Sequence, residues 1–256
     1  YRSVLTDQSL DAAMVALMIQ LPSEAYLSEL SEQVDVEAIH FARNYVREAV
    51  AKALRDELQQ TYERCVDDGD FSVKAGAIAK RSLKNTALSY LSCLPNEQSI
   101  AQSQLSGARN MTDELAGLNA LNQSVSAHES GARDVALGDF YQRWKHEALV
   151  VNQWLQVQAA CQLPDGLTRV KALMNHDAFD VKNPNKVRSL IGVFASSNAI
   201  NFHAVDGSGY QFLAEQILVL DKLNPQVASR MVSALTKWKK YDPTRQQKMR
   251  EQLARI

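Results

Sequence analysis

Apolar residues along this chain recur mostly at three- and four-residue spacing, the period of a helix with one covered face. Over 9–20, Leu10, Ala13, Met14, Leu17 and Met18 make one such stripe. Leu21-Pro22-Ser23 ends that helix and offers Ser23 as the N-cap of the next. The spacing predicts a long helix over 36–65, broken by Asp67-Asp68-Gly69-Asp70. A helix over 73–91 follows, stopped by Leu94-Pro95-Asn96. Shorter helices are expected over 97–107, 111–122 and 129–145. Another runs through Trp154 to Cys161 and ends before Leu163-Pro164-Asp165-Gly166.

The last third carries the clearest punctuation. Asn183-Pro184 and Asn224-Pro225 each set a capping Asn before a Pro. Asn accepts free N–H groups of the first turn, and Pro at the first helical position loses no hydrogen bond. Val187, Leu190, Ile191 and Phe194 follow the first start; Val227, Met231, Ala234, Leu235 and Trp238 follow the second. Each set traces one helix face. A third helix over 209–220 lies between them. The two starts stand 41 residues apart, a period that suits HEAT- or armadillo-type helix pairs. The expected fold is all-α, an α-α superhelix of stacked helices in one elongated domain over 1–256.

Composition agrees. Of 256 residues 46% are hydrophobic, and Gly and Pro together make up about 6%, too few turns for an all-β fold. Net charge is -1, and basic residues are not interleaved with aromatics, so a nucleic-acid partner is not expected. Charge is unevenly spread. Positions 3–42 hold seven acids and no Lys or Arg, whereas 236–256 hold seven bases against Asp242 and Glu251. Two solvated helical faces, or surfaces that dock on other parts of a larger protein, would account for this. Cys65, Cys93 and Cys161 are an odd, widely spaced set, which suits a reducing compartment rather than a disulfide framework. The longest apolar stretch, 12–19, is far too short for a bilayer, and no signal peptide is visible. The chain opens at Tyr1 without Met, as expected of a piece of a longer polypeptide.

Catalytic motifs are absent. A helical zinc site needs HExxH, two His one turn apart gripping one metal. His128-Glu129 has Ala132 where the second His should stand, and His146-Glu147 has Val150. His40, His176 and His203 are far apart and read as surface or satisfied structural residues. Asp206-Gly207-Ser208-Gly209 reads as a tight loop feeding the helix of Tyr210, Leu213 and Ile217, or as a phosphate cradle of outward N–H groups.

Longer strings carry a resemblance. They are the run from Asn183 to Ala195, the run from Phe202 to Tyr210, and Asn224-Pro-Gln-Val-Ala-Ser-Arg230. Lys239 to Asp242, Arg245 to Arg250, Ala79-Lys-Arg-Ser-Leu-Lys-Asn85, Asn110 to Leu115 and the Trp144 to Trp154 segment extend it. Together they resemble the C-terminal domain of the bacterial aminopeptidase N family. The resemblance implies a cytoplasmic zinc metallopeptidase that removes N-terminal residues from peptides. Its single zinc ion and its HExxH…E and GAMEN motifs would belong to an earlier catalytic domain of the same polypeptide. This chain would be the helical cap that closes over that domain and lines a peptide channel, inactive by itself. No membrane partner is implied. The alternative is a free-standing helical scaffold for protein partners. Within the resemblance, Arg188 and Arg230 match positions on the inner face of the cap, where guanidinium donors grip peptide carbonyls or a C-terminal carboxylate. Gln226, one turn before Arg230, adds a neutral donor and acceptor. Each arginine also flanks an apolar stripe, so covering that stripe with its stem is the structural alternative.

Overall fold

In the computed structural model residues 1–67, 69–95 and 97–256 are described. Asp68 and Asn96, which fall in two of the expected breaks, lie outside them. The named elements among the described residues are all helical. The one extended pairing is an isolated parallel bridge between Val34 and Tyr241. The chain folds as two compact units, Tyr1–Pro22 with Ala42–Gly138, and Ser23–Phe41 with Asp139–Ile256.

Local signals set most boundaries. Ser23 Oγ accepts from Tyr26 N at 3.1 Å and starts Glu24–Leu30. Asn183 caps Pro184–Val187 and Asn224 caps Pro225–Thr236, each with Pro in the first turn. The helix expected over 36–65 is two, Val36–Ala53 and Arg55–Arg64, divided at Leu54, whose φ of -125° and ψ of 25° leave the helical region. Leu54 is buried in the first unit's core, so packing makes a break that no Gly or Pro announces. The helix expected over 129–145 starts later, as Ala132–Trp144, and a short helix, Val125–Glu129, precedes it, the two separated at Gly131 with φ 77°. The expected stop at Leu163-Pro164-Asp165-Gly166 leads directly into a further helix, Gly166–Leu173, with Asp165 at its N-cap position.

In the first unit Leu5, Val15, Ile19, Leu58, Leu83 and Leu91 form the core. The stripe read over 9–20 faces the other way. Met14 is 53% exposed and Leu17 66%, while Val15, Ala16 and Ile19 are buried. Here the neighbouring helices cover the narrower, β-branched side of Ala12–Met18. The conspicuous run Lys84-Asn85 with Asn110 to Asp113 is a buried polar joint. Lys84 Nζ donates to Asp113 Oδ2 at 2.7 Å, and Asn85 and Asn110 donate to the same carboxylate at 3.0 and 2.8 Å.

In the second unit, Phe194 packs edge to face on Phe202 and Phe212 at 5.9 and 5.8 Å. The two charged blocks meet here instead of standing as separate solvated faces. Arg245 pairs with Glu37, Lys237 Nζ lies 3.2 Å from Glu29, and Val34 N donates to Lys240 O at 2.7 Å. Two further bases, Lys239 and Arg250, lie over the Trp238 ring at 5.5 and 5.2 Å.

Candidate functional site

Arg188, Gln226 and Arg230 all belong to the second unit. The helix begun at Asn183-Pro184 passes at Arg188 into one π-helical turn, Arg188–Gly192, before continuing as Val193–Ser197. A turn of this kind adds a residue to the helical repeat and re-aims the side chains around it, and such turns are frequent at functional sites. Arg188 is exposed and its Nη2 donates to Asn185 Oδ1. Gln226 and Arg230 are exposed on Pro225–Thr236, one turn apart. Neither guanidinium has a carboxylate partner among the described residues.

The two helices approach at Gly192, where even an added methyl would make only ordinary contacts. A methyl group added there would sit 3.5 Å from Met231 Cε and 3.9 Å from Arg188 Cβ. Arg188 and the residue next to Arg230 therefore flank one glycine. Gly192 and Met231 were not among the sequence candidates, although a glycine inside a capped apolar helix is itself a signal of close approach. The two Asn-Pro starts also converge, on a mainly apolar cavity of about 250 Å3 lined by Pro184, Val187, Asn224 and Val227.

The other candidate chemistry resolves into structure. His203 is buried, with Nδ1 2.9 Å from Tyr210 Oη and Nε2 3.0 Å from Tyr241 Oη. Burial, helped by the Arg245 charge, lowers its pKa to about 3. His40 Nδ1 lies 2.9 Å from Glu24 Oε1, and His176 Nδ1 accepts from Ala178 N at 3.0 Å. In the Asp206 to Gly209 loop, Asp206 Oδ1 accepts from Ser208 N at 2.9 Å, and that bond holds the carboxyl below its usual range. The amide a phosphate would need is occupied by an anion already, which leaves no phosphate cradle there. The loop is the tight turn, with Gly207 at φ 76°. Among the described residues no three His, Cys, Asp or Glu side chains gather to hold a metal, and no helix is long and apolar enough to cross a membrane.

Residues 1–256 match the family model described as a domain of unknown function (DUF3458_C) with ARM repeats. This agrees with the α-α superhelix expected from the spacing. The chain is 38% identical to Aminopeptidase N of Caulobacter vibrioides over 98% of its length, and 37% identical to Aminopeptidase N of Escherichia coli over 100%. It spans 29% of each of those relatives. A crystal structure of Legionella pneumophila aminopeptidase A in complex with aspartic acid superposes with a TM-score of 0.89 at 34% identity. That match covers 99% of this chain and 30% of the other.

Proposed function

The chain belongs to the ARM-repeat family described as DUF3458_C, the C-terminal domain of bacterial aminopeptidases N, and from that membership we propose that it is the cap of a zinc-dependent aminopeptidase. In this reading residues 1–256 are one helical-repeat domain with no catalytic centre of its own. It closes the active site of a catalytic domain in the same polypeptide, lines the peptide-access channel, and works in the cytoplasm. The described residues offer no donor set that fits a zinc ion. In this reading the metal and the hydrolytic chemistry belong to the catalytic domain.

One observation carries the channel role. Arg188 and Met231, the residue after Arg230, flank Gly192, and both guanidiniums are exposed without a carboxylate partner among the described residues. Fixed donors so placed can hold carbonyls of a peptide beyond its scissile bond or its terminal carboxylate, and Gln226 adds a neutral contact. The test is made in the full-length enzyme. Replacing both arginines (Arg188→Ala with Arg230→Ala) should lower kcat/KM on tri- and tetrapeptides by roughly 5- to 150-fold, as expected for loss of about 1–3 kcal/mol of charged contacts. Single-residue chromogenic substrates, too short to reach the cap, should change little. Equal losses on both substrate types with a lowered Tm would make the arginines structural.

A further inference from the structure

A cavity of about 780 Å3 opens in the unit formed by Tyr1–Pro22 and Ala42–Gly138. Its size is that of small-molecule sites, roughly 300–1,000 Å3. Arg43, Arg47 and Arg81 line it, and no acid does. Arg43 and Arg47 are four residues apart on Val36–Ala53 and so share one face. Arg81 comes from Ala75–Leu91, inside the run from Ala79 to Asn85 that the sequence reading singled out.

Arg81 is the decisive residue. It is only 8% exposed. A buried guanidinium normally has a carboxylate or several carbonyls around it, because losing water without replacement is costly. Arg81 has no hydrogen bond or ion pair among the described residues. Its one contact of note is the Phe71 ring, whose centre lies 5.1 Å from the guanidinium carbon. A ring covers one face of the guanidinium and leaves the in-plane N–H donors unused. The acid contributed by the neighbouring polar joint, Asp113, is already taken by Lys84, Asn85 and Asn110.

Arg47 shares this in part: its Nε is buried and has no hydrogen-bond partner, while its guanidinium also acts on the Cys93 thiol. Arg43 differs, because its Nε donates to Pro22 O at 2.8 Å and is anchored. The cations converge near Tyr90, whose hydroxyl donates to Ile19 O. Burial pushes the Tyr90 hydroxyl up, and the charges of Arg43 and Arg47 act in the opposite direction. Ser82 and Thr112 add hydroxyls to the wall that make no hydrogen bond among the described residues.

We infer that this cavity is a binding site for a small, multiply charged oxyanion, a polycarboxylate or a phosphate compound, gripped by Arg47 and Arg81. Three cations without an acid in the wall call for a ligand of two or three negative charges. The planar fork of Arg81 matches two oxygens of one carboxylate or phosphate. This assignment does not depend on the peptide-channel reading, because its residues belong to the other unit.

The experiment titrates the full-length polypeptide that contains this chain with citrate, with pyrophosphate and with a neutral-side-chain tripeptide, by calorimetry at low ionic strength. The expected result is one saturable site for citrate or pyrophosphate, and the tighter of the two identifies carboxylate or phosphate chemistry. Arg81→Gln should weaken binding by about tenfold or more, and Arg81→Lys by less, because the charge remains but the fork is lost. Unliganded Arg81→Gln should melt at the same temperature as the parent, since no hydrogen bond or ion pair within the protein is lost. A structural Arg81 would instead melt lower when replaced. Arg47→Gln, at a half-buried position, serves as the second variant should Arg81→Gln not fold. No saturable binding below about 10 mM, binding unaltered in both variants, or a site taken by the tripeptide alone would overturn the inference.

Discussion

Glu37 and Arg245 stand 208 positions apart in the sequence and close one hydrogen-bonded ion pair in the second unit. The same guanidinium donates to His203 O at 2.7 Å and to Asp242 Oδ2 at 2.8 Å. Arg245 is 5% exposed, whereas the Glu37 side chain is 39% exposed. The two partners should therefore respond unequally. Arg245→Ala leaves a buried carbonyl and a carboxylate without their donor and should cost about 3 kcal/mol. Glu37→Gln loses one partly solvated charge and should cost less than about 1 kcal/mol. Urea unfolding of the two variants checks the ratio, and equal costs would contradict it.

That pair also marks where the sequence stops being legible. An acidic block and a basic block are visible as composition, but nothing in a helical period says that they meet. Local chemistry was readable: Ser23, Asn183 and Asn224 cap helices because a cap needs only the next three residues. The break at Leu54 was not, since it comes from tertiary packing at a residue with no turn preference. Periodicity showed that Ala12–Met18 has an apolar stripe, and it could not say which side its neighbours cover. Arg188 and Arg230 came from a resemblance, and only the fold puts Arg188 and Met231 around Gly192. Arg47 and Arg81 were missed, because an arginine that faces a cavity without a carboxylate is recognisable only once the fold is known. The spacing of Arg43 and Arg47 was the one available hint.

His203 sets an acid limit on stability. Its ring is neutral in the fold, with one nitrogen donating to a tyrosine oxygen and the other accepting, and burial has lowered its pKa from 6.5 to about 3. Above pH 6.5 neither the folded nor the unfolded chain carries this proton, and the ring adds no pH dependence. Between pH 6.5 and about 3 only the unfolded chain takes it up, so stability falls as pH falls. The full loss is on the order of a few kcal/mol. His203→Gln should have a shallower decline of Tm from pH 6.5 to 4.5 than the parent chain. Parallel curves would show that the ring is protonated in the fold.

Gly209 is required by contact, unlike Gly207, which is required by its backbone angle. A Cβ on Gly209 would lie 2.2 Å from Phe202 O and 2.8 Å from Phe202 C, both backbone atoms that cannot swing aside. At Gly207, φ is 76° and the nearest obstacle is the flexible Lys248 side chain, at 2.7 Å. Gly207→Ala should thus cost about 1 kcal/mol. Gly209→Ala must push the Ser208–Leu223 helix off Phe202 and should cost more than about 3 kcal/mol. Thermal melts of the two variants order them, and a Gly209→Ala chain as stable as Gly207→Ala would refute the contact.

The buried joint at Lys84 and Asp113 makes a prediction about coupling. Their side chains are 9% and 8% exposed, and Asp113 collects Lys84, Asn85 and Asn110 while Gln104 Nε2 donates to its carbonyl at 2.9 Å. Lys84→Met strands a buried carboxylate, and Asp113→Leu strands a buried ammonium. Each should cost about 3–5 kcal/mol. The double variant removes both charges, so its cost should fall short of the sum by about 2 kcal/mol or more. It should not reach the parent's stability, because Asn85 and Asn110 then lose an acceptor inside the fold. Guanidinium unfolding of the four chains gives the cycle directly. Additive costs would mean that water reaches the pair and screens it, and the joint would then contribute no more than an exposed ion pair.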